Sequence, residues 1–216
     1  MGITHPHASG RVKAFQRMSG VRLLGAHDES PLLRPFVDAL GLEPRSKDEI
    51  LTDADVHAVL VHPKSHAMAD FAIEALEAGK AVLCEKPAGR GSADTARIVA
   101  AVNRTDGLFQ VGYCWRFAPS IVKMQEVLAS GRLGKVLQVR AHAGCSHNEA
   151  ATAHMNQPGD IGGAMFVIAC HLTIASCFTS ACPMQSTPEL PSFRWRSAPS
   201  PGKTPVARSS TTPTSW

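Results

Sequence analysis

Residues 81–89 read Ala-Val-Leu-Cys-Glu-Lys-Pro-Ala-Gly, and this stretch decides the fold class of the chain. The apolar run from Ala81 to Cys84 is typical of a buried strand, and it ends in the charged turn Glu85-Lys86-Pro87. Ligands bind at the carboxyl ends of strands in an open parallel sheet, and Lys86 lies at such an end. Pro87 favours an extended backbone at Lys86. These residues alone leave two interpretations of Lys86 open, a ligand-binding lysine and a solvated loop lysine.

Strand-like and helix-like segments alternate on both sides of this stretch. Apolar runs predict strands over 21–27, 56–61 and 108–112, and helical periodicity predicts helices over 67–78 and 92–104. Nearly continuous apolar strands separated by helices are typical of a parallel sheet that is covered on both faces. The sequence therefore predicts an α/β fold, a Rossmann-like doubly wound parallel sheet.

The pattern changes twice towards the carboxyl end. We expect residues 1–117 to form the dinucleotide-binding domain, and residues 118–172 to begin a C-terminal α/β domain with a helix at 119–130 and a strand at 134–140. Residues 173–216 are rich in Ser, Thr and Pro and show no hydrophobic periodicity. Such a composition buries too little surface to offset the entropy of ordering, so we expect a disordered or out-of-frame tail.

The amino-terminal segment departs from the pattern of a dinucleotide-binding unit, which opens with strand, glycine turn, helix, strand and acid. Here the first strand is largely missing, and only Gly2 remains where the G-x-G-x-x-G turn belongs. Asp28 follows Gly2 by 26 residues, near the spacing of an acid that binds the adenosine ribose. A turn aspartate after a strand is the alternative. If Asp28 binds ribose, its charge and that of Glu29 repel a 2′-phosphate and favour NAD over NADP.

Composition argues against several other classes of protein. The net charge is +4 without a long block of Lys and Arg, so nucleic acid is not an expected partner. The amino terminus has no apolar signal segment, and the six cysteines form no C-x-x-C pair, so we expect reduced thiols in the cytoplasm. Residues 161–183 are nearly uncharged, but their Gly, Ser and Thr content and their flanks do not favour a membrane span.

Histidines and cysteines between residues 142 and 154 raise the question of a metal site. His142, Cys145, His147 and His154 match no known ligand spacing, and we expect no metal site there. His171 lies inside an apolar helical segment, where it is either a core histidine or a catalytic base.

Five motifs, in unbroken order from residue 2 to about 172, resemble the glucose-fructose oxidoreductase, inositol dehydrogenase and MocA family of NAD(P)-dependent oxidoreductases. They are His-Pro-Lys-Ser-His at 62–66, Val-Leu-Cys-Glu-Lys-Pro at 82–87, Gly-Tyr-Cys-Trp-Arg-Phe at 112–117, Gly-Lys-Val at 134–136, and a Gly-Gly helix that leads to a histidine at 162–171.

The resemblance implies hydride transfer between a nicotinamide dinucleotide and a hydroxyl carbon of a sugar, inositol or related polyol. Lys86 is implied to hydrogen-bond the reacting hydroxyl, and His171 to remove its proton. A cis peptide bond before Pro87 is often found in this family, and its full-length members often form homo-oligomers through the open sheet of the second domain. The implied cofactor-binding residues are Gly2, His5, Asp28, His62, Pro63, His66, Glu85, Lys86, Pro87 and Arg116.

The sequence also departs from the pattern of this family. Val167 stands where the family has an aspartate, one helical turn before the catalytic histidine. In addition, the second domain of the family extends for over a hundred residues past the position of His171. We therefore expect a member truncated at both ends. The alternative function is that of a non-catalytic nucleotide-binding remnant or an inactive gene product.

Overall fold

A computed structural model describes residues 1–144, 149 and 165–177. Its centre is a parallel sheet of three strands in the order β1 (Ala58–Val61), β2 (Ala81–Cys84) and β3 (Phe109–Val111). The register pairs Val59 with Val82, and Cys84 with both Val61 and Val111. The Rossmann-like parallel sheet predicted from the apolar runs is confirmed.

Helices connect and flank these strands. They are α1 (Ala8–Gln16), α2 (Leu33–Leu40), α3 (Lys47–Thr52), α4 (Ser65–Glu77), α5 (Ser92–Thr105), a 3₁₀ helix (Cys114–Phe117), α6 (Pro119–Ala129), a π-helical turn (Met165–Ala169) and α7 (Cys170–Cys177). The buried face of α4 carries Met68, Ala72, Ala75 and Leu76, which pack into one core with Val61 and Val82. Small alanines on this face let α4 lie close to the sheet.

The amino-terminal residues occupy the place of the first strand of a doubly wound sheet. On one side the Met1 nitrogen donates to the Leu60 carbonyl at 2.6 Å, and the His62 N–H donates to the Met1 carbonyl at 3.0 Å. On the other side the Gly2 N–H donates to the His27 carbonyl at 2.8 Å. Residues 1–2 therefore lie between β1 and the segment that ends at His27, where a Rossmann sheet has its central strand.

Two predicted strands are wrong. Residues 21–27 form only an isolated bridge between Ala26 and Pro44, because the short segment at residues 1–2 reaches only their carboxyl end. Residues 134–140 form no strand, since no neighbouring strand pairs with them in the described part of the chain, and Leu137 is 88% exposed. A strand needs a hydrogen-bonded neighbour, which a local apolar pattern does not supply.

The change of composition after Leu172 falls inside α7, which continues to Cys177. The rest of the predicted tail, residues 178–216, lies outside the described residues, as do three of the four residues considered as metal ligands, Cys145, His147 and His154. Among the helices that the structure describes, none is long and apolar enough to cross a membrane.

Candidate active site

Lys86 lies at the carboxyl end of β2, where the parallel strands of an open sheet bind their ligands. The peptide bond between Lys86 and Pro87 is cis, as predicted. The lysine is only 3% exposed, and its Nζ donates a hydrogen bond to the Val167 carbonyl at 2.9 Å. This bond joins the end of β2 to the turn that precedes α7.

His171 reaches the same place from α7 and is 5% exposed. Its ring stacks on the Trp115 indole with centroids 4.7 Å apart, and the Tyr113 ring meets it edge-on at 6.0 Å. Burial lowers the pKa of His171, and the positive charge of Lys86 lowers it further. The imidazole is therefore neutral near pH 7, and its buried Nδ1 has no hydrogen-bond partner among the described residues.

Glu85 points away from solvent, and its side chain is fully buried. One carboxylate oxygen lies 3.3 Å from His7 Nδ1, and the other accepts a hydrogen bond from the Arg11 guanidinium at 3.3 Å. Burial alone raises the pKa of Glu85, but the hydrogen bond with His7 and the electrostatic influence of neighbouring histidines outweigh it and lower the pKa to about 2. Glu85 thus ties the start of α1 to the end of β2.

His5 and His62 are buried beside this carboxylate. The His5 N–H donates to the His62 carbonyl at 2.9 Å, and His62 Nε2 lies 3.7 Å from the nearer oxygen of Glu85. Burial lowers the pKa of His5 to about 3 and that of His62 to about 4, so both are neutral at physiological pH.

Gly2 and Pro63 are in close contact. Gly2 has a φ of +69°, and a Cβ at this position would lie 2.5 Å from the Pro63 Cβ and 2.6 Å from the Pro63 nitrogen. Only glycine fits this close approach without displacing the backbone. The geometry gives Gly2 a packing role, and its predicted contact with a cofactor stays a prediction.

Asp28 has the hydrogen bonds of a turn aspartate. One carboxylate oxygen accepts from the Ile3 N–H at 2.7 Å and the other from the Ser30 N–H at 2.8 Å. Burial raises the pKa of Asp28, but the nearby Ser30 side chain and the two backbone hydrogen bonds lower it overall. Each oxygen retains a second lone pair, so ribose binding at Asp28 stays a prediction.

The two remaining predicted cofactor contacts lie farther along the chain. His66 is exposed in the first turn of α4, and the Arg116 guanidinium lies 5.9 Å from the Phe117 ring centroid in the 3₁₀ helix. The structure brings Lys86 and His171 together and places Glu85, His5 and His62 beside each other. The roles of His66 and Arg116 stay predictions.

The beginning of α1 has two features that favour a bound anion. A helix amino terminus offers backbone N–H groups and a partial positive charge to an anion. The first turn of α1 carries no acidic side chain, and a Cβ added at Gly10 would meet no atom of the described residues within 4 Å. The N–H groups of His5, His7 and Ala8 already have protein acceptors, so an anion at this turn would depend on the N–H groups that follow them, and the G-x-G-x-x-G pattern is absent.

Sequence reasoning missed three residues of this region: His7, Arg11 and Trp115. His7 and Arg11 lie four residues apart, and the Arg11 N–H donates to the His7 carbonyl at 2.9 Å, so both side chains start from one face of the same turn. That spacing was a detectable signal for a pair that binds one carboxylate. Trp115 belongs to the Gly-Tyr-Cys-Trp-Arg-Phe motif, but nothing in the sequence around it indicates that its partner is His171.

Comparison with known proteins identifies relatives of this chain. Residues 7–113 match the family model described as "Oxidoreductase family, NAD-binding Rossmann fold". Inositol 2-dehydrogenase 2 of Saccharopolyspora erythraea is 36% identical over 140 residues, which cover 64% of this chain and 39% of the relative. Trans-1,2-dihydrobenzene-1,2-diol dehydrogenase of Bos taurus is 40% identical over 103 residues, which cover 46% of this chain and 30% of the relative.

Solved structures share the fold. The scyllo-inositol dehydrogenase of Lactobacillus casei, solved with NAD(H) and scyllo-inositol, superposes with a TM-score of 0.67 at 20% identity and covers 81% of this chain and 53% of that one. The chain therefore spans well under half the length of these two curated relatives and about half that of this solved structure.

Proposed function

This chain belongs, through residues 7–113, to the oxidoreductase family with an NAD-binding Rossmann fold, and from this membership we propose that the whole protein is a polyol or sugar dehydrogenase. The reaction moves a hydride between a nicotinamide dinucleotide and a hydroxyl carbon of the substrate. Relatives named for inositol and for a dihydrodiol support a substrate with neighbouring hydroxyl groups. The observation that carries the proposal is the burial of Lys86, at the carboxyl end of β2, and of His171, four residues after the Val167 carbonyl that accepts the hydrogen bond of Lys86.

His171 is proposed as the general base. In the oxidation direction, its neutral imidazole takes the hydroxyl proton of the substrate while the carbon loses its hydride, which leaves a carbonyl. The lowered pKa of His171 keeps the imidazole in the accepting form at neutral pH. Stacking on Trp115 fixes the plane of the ring, which is the usual requirement for a positioned base.

Lys86 is proposed to stabilise the developing alkoxide. An ammonium has three N–H donors, so the bond to the Val167 carbonyl orients the amine without using all of them. A cation beside a forming oxyanion in a dry site lowers the barrier because the charge need not be solvated by water.

The proposed cofactor site extends from the turn before α1 to the turn after β2. Residues 4–10 would hold the phosphates, and Lys86 and Pro87 would lie near the nicotinamide, which when bound supplies the acceptor or donor of the hydride. Asp28 and Glu29 are proposed to disfavour a 2′-phosphate, so NAD is preferred over NADP. The proposed location of the protein is a reducing cytoplasm, as the spacing of its cysteines led us to expect.

A second candidate function is nucleotide binding without catalysis. The observation that favours it is Val167, whose position carries an aspartate in the resembled family and here offers only its carbonyl to Lys86. Without that carboxylate, His171 and the substrate lose a polar partner on the facing turn of the helix.

Thermal unfolding with and without nucleotides tests both functions. A ligand that binds only the folded chain stabilises it by RT ln(1 + [L]/Kd), or about 2.7 kcal/mol at a hundredfold excess over Kd. We expect NADH and NAD⁺ to raise the melting temperature more than NADPH does, and we expect NADH formation with inositols or related diols. Stabilisation by nucleotide without turnover of any diol would support the second function. A cooperative transition that no nucleotide shifts would contradict both.

A further inference from the structure

Three ligand-type side chains converge where the turn before α1 meets the end of β2. The candidate metal-binding atoms of His5, His7 and Glu85 all lie within 4.8 Å of one another. His5 and His7 come from the turn before α1, whereas Glu85 follows β2, so the sheet brings distant parts of the sequence together. His5 and Glu85 are buried, and His7 is exposed, which gives the group an open side towards solvent.

A fourth side chain independently points to a ligand at this place. His62 Nε2 is a buried atom without a hydrogen-bond partner among the described residues, and its side chain is 4% exposed. It lies 3.7 Å from Glu85 Oε2, too far for a hydrogen bond. Buried polar atoms are nearly always satisfied, so an unpartnered imidazole nitrogen aimed at a buried carboxylate requires an explanation.

The distances between the candidate ligand atoms fit those between neighbouring ligands of one metal ion. Zinc lies about 2.0–2.2 Å from nitrogen and oxygen ligands, so two ligands of a tetrahedral ion are about 3.4 Å apart. His7 Nδ1 lies 3.3 Å from one oxygen of Glu85, and His62 Nε2 lies 3.7 Å from the other. Imidazole nitrogens with one carboxylate form a donor set that suits zinc and its neighbours in the first transition series.

Arg11 competes for the same carboxylate. Its Nη2 lies 3.3 Å from Glu85 Oε2, where its charge neutralises Glu85 and opposes a second cation. The Arg11 side chain is partly exposed, so it can move towards solvent when an ion enters. We propose that His5, His7, His62 and Glu85, here called the histidine–glutamate cluster, form a binding site for a zinc-class divalent ion that displaces Arg11 from Glu85.

Co²⁺ titration of the full chain, stripped of metal and free of nucleotide, tests the site directly. We expect the visible absorption of Co²⁺ in a tetrahedral nitrogen and oxygen site, saturating at one ion per chain. His7→Ala should weaken binding at this site by at least about tenfold, the scale expected for loss of a coordinating or orienting group. His7 is half exposed, so this variant is expected to fold. Equal circular dichroism and melting of the metal-free proteins will verify that.

Two further variants make the result specific. His57→Ala removes an exposed histidine at the edge of β1 and should leave Co²⁺ binding unchanged. Arg11→Ala removes the competing cation and should tighten binding by about tenfold, the opposite direction to His7→Ala. Binding that is equal in the wild type and in His7→Ala would mean an adventitious ion only. Such equal binding would overturn the proposal. So would weaker Co²⁺ binding in Arg11→Ala, or the absence of any visible Co²⁺ absorption. Because no nucleotide is present, none of these results depends on the proposed dehydrogenase activity.

Discussion

Lys86 is buried, and its amine donates a hydrogen bond to the Val167 carbonyl. If it stabilises the alkoxide, Lys86→Ala should lower kcat/KM by at least about a hundredfold in a version of the protein that turns over a diol. Steady-state kinetics with NAD⁺ will measure the change. Lys123→Ala is the matched control, since Lys123 is exposed and pairs with nearby Glu126, and it should leave the rate unaltered. A full rate in Lys86→Ala would remove this lysine from the mechanism.

The buried groups around Glu85 make stability depend on pH. The pKa is about 2 for Glu85, about 3 for His5 and about 4 for His62, each below its ordinary value of 4.5 or 6.5. All three groups bind protons more readily in the unfolded chain, so the free energy of unfolding is highest above about pH 6.5. It should fall as the pH decreases to about 3, by at most about 1.4 kcal/mol per pH unit for each histidine.

Denaturant unfolding at a series of pH values, with a chelator present, measures this slope. His62→Gln removes one of the titrating groups and should flatten the dependence between pH 4 and pH 6.5. His57→Gln, at an exposed position, should not. An identical slope in His62→Gln and the wild type would show that His62 is protonated equally in the folded and unfolded chains.

Part of this site was predictable from sequence. Lys86 and His171 were predicted because each stands in a motif, and the structure buries both, but their roles stay predictions. The partners of Glu85 were missed because His7 and Arg11 precede it by 78 and 74 residues. Such pairs are created by the order of strands in the sheet, and no local spacing specifies them.

The turn before α1 depends on the close approach of Gly2 to Pro63. Gly2→Ala should destabilise the fold by about 2–4 kcal/mol, because a side chain at this positive φ is strained and its Cβ overlaps the proline. Gly10→Ala is the control within α1, where nothing obstructs a Cβ, and it should stabilise the helix by about 0.5–1 kcal/mol. Denaturant unfolding compares the two variants, and equal stabilities would mean that the turn relaxes away from Pro63.

Local signals predicted helices better than strands in this chain. The capping box of α3, in which Ser46 and Glu49 satisfy each other's backbone N–H groups, lies within four consecutive residues. The bounds of α4 and α5 lie within two residues of the predicted ones. The predicted strands at 21–27 and 134–140 failed because a helix contains its own hydrogen-bond partners, whereas a strand takes them from another segment.

Stability should differ strongly across the described part of the chain. The amides of β1 and β2 bond within the sheet and lie in the core, whereas residues 134–144 make no ladder hydrogen bonds and are mostly exposed. We expect hydrogen exchange, measured by mass spectrometry, to be slowest in peptides from 58–61 and 81–84 and fast in 134–144. Protection of 134–140 equal to that of β2 would show that a strand partner forms in solution.

The hydrogen bond from Lys86 to the carbonyl of Val167 also bears on how this region tolerates mutation. A main-chain oxygen is present whichever of the twenty amino acids occupies the position, so no replacement at 167 deletes the acceptor itself. The course of the backbone, and not the identity of the side chain, sets the location of the lysine. Position 167 could therefore change from an aspartate to a valine while the Lys86 amine kept its place. The side-chain chemistry at this position can change independently of the backbone that positions the lysine.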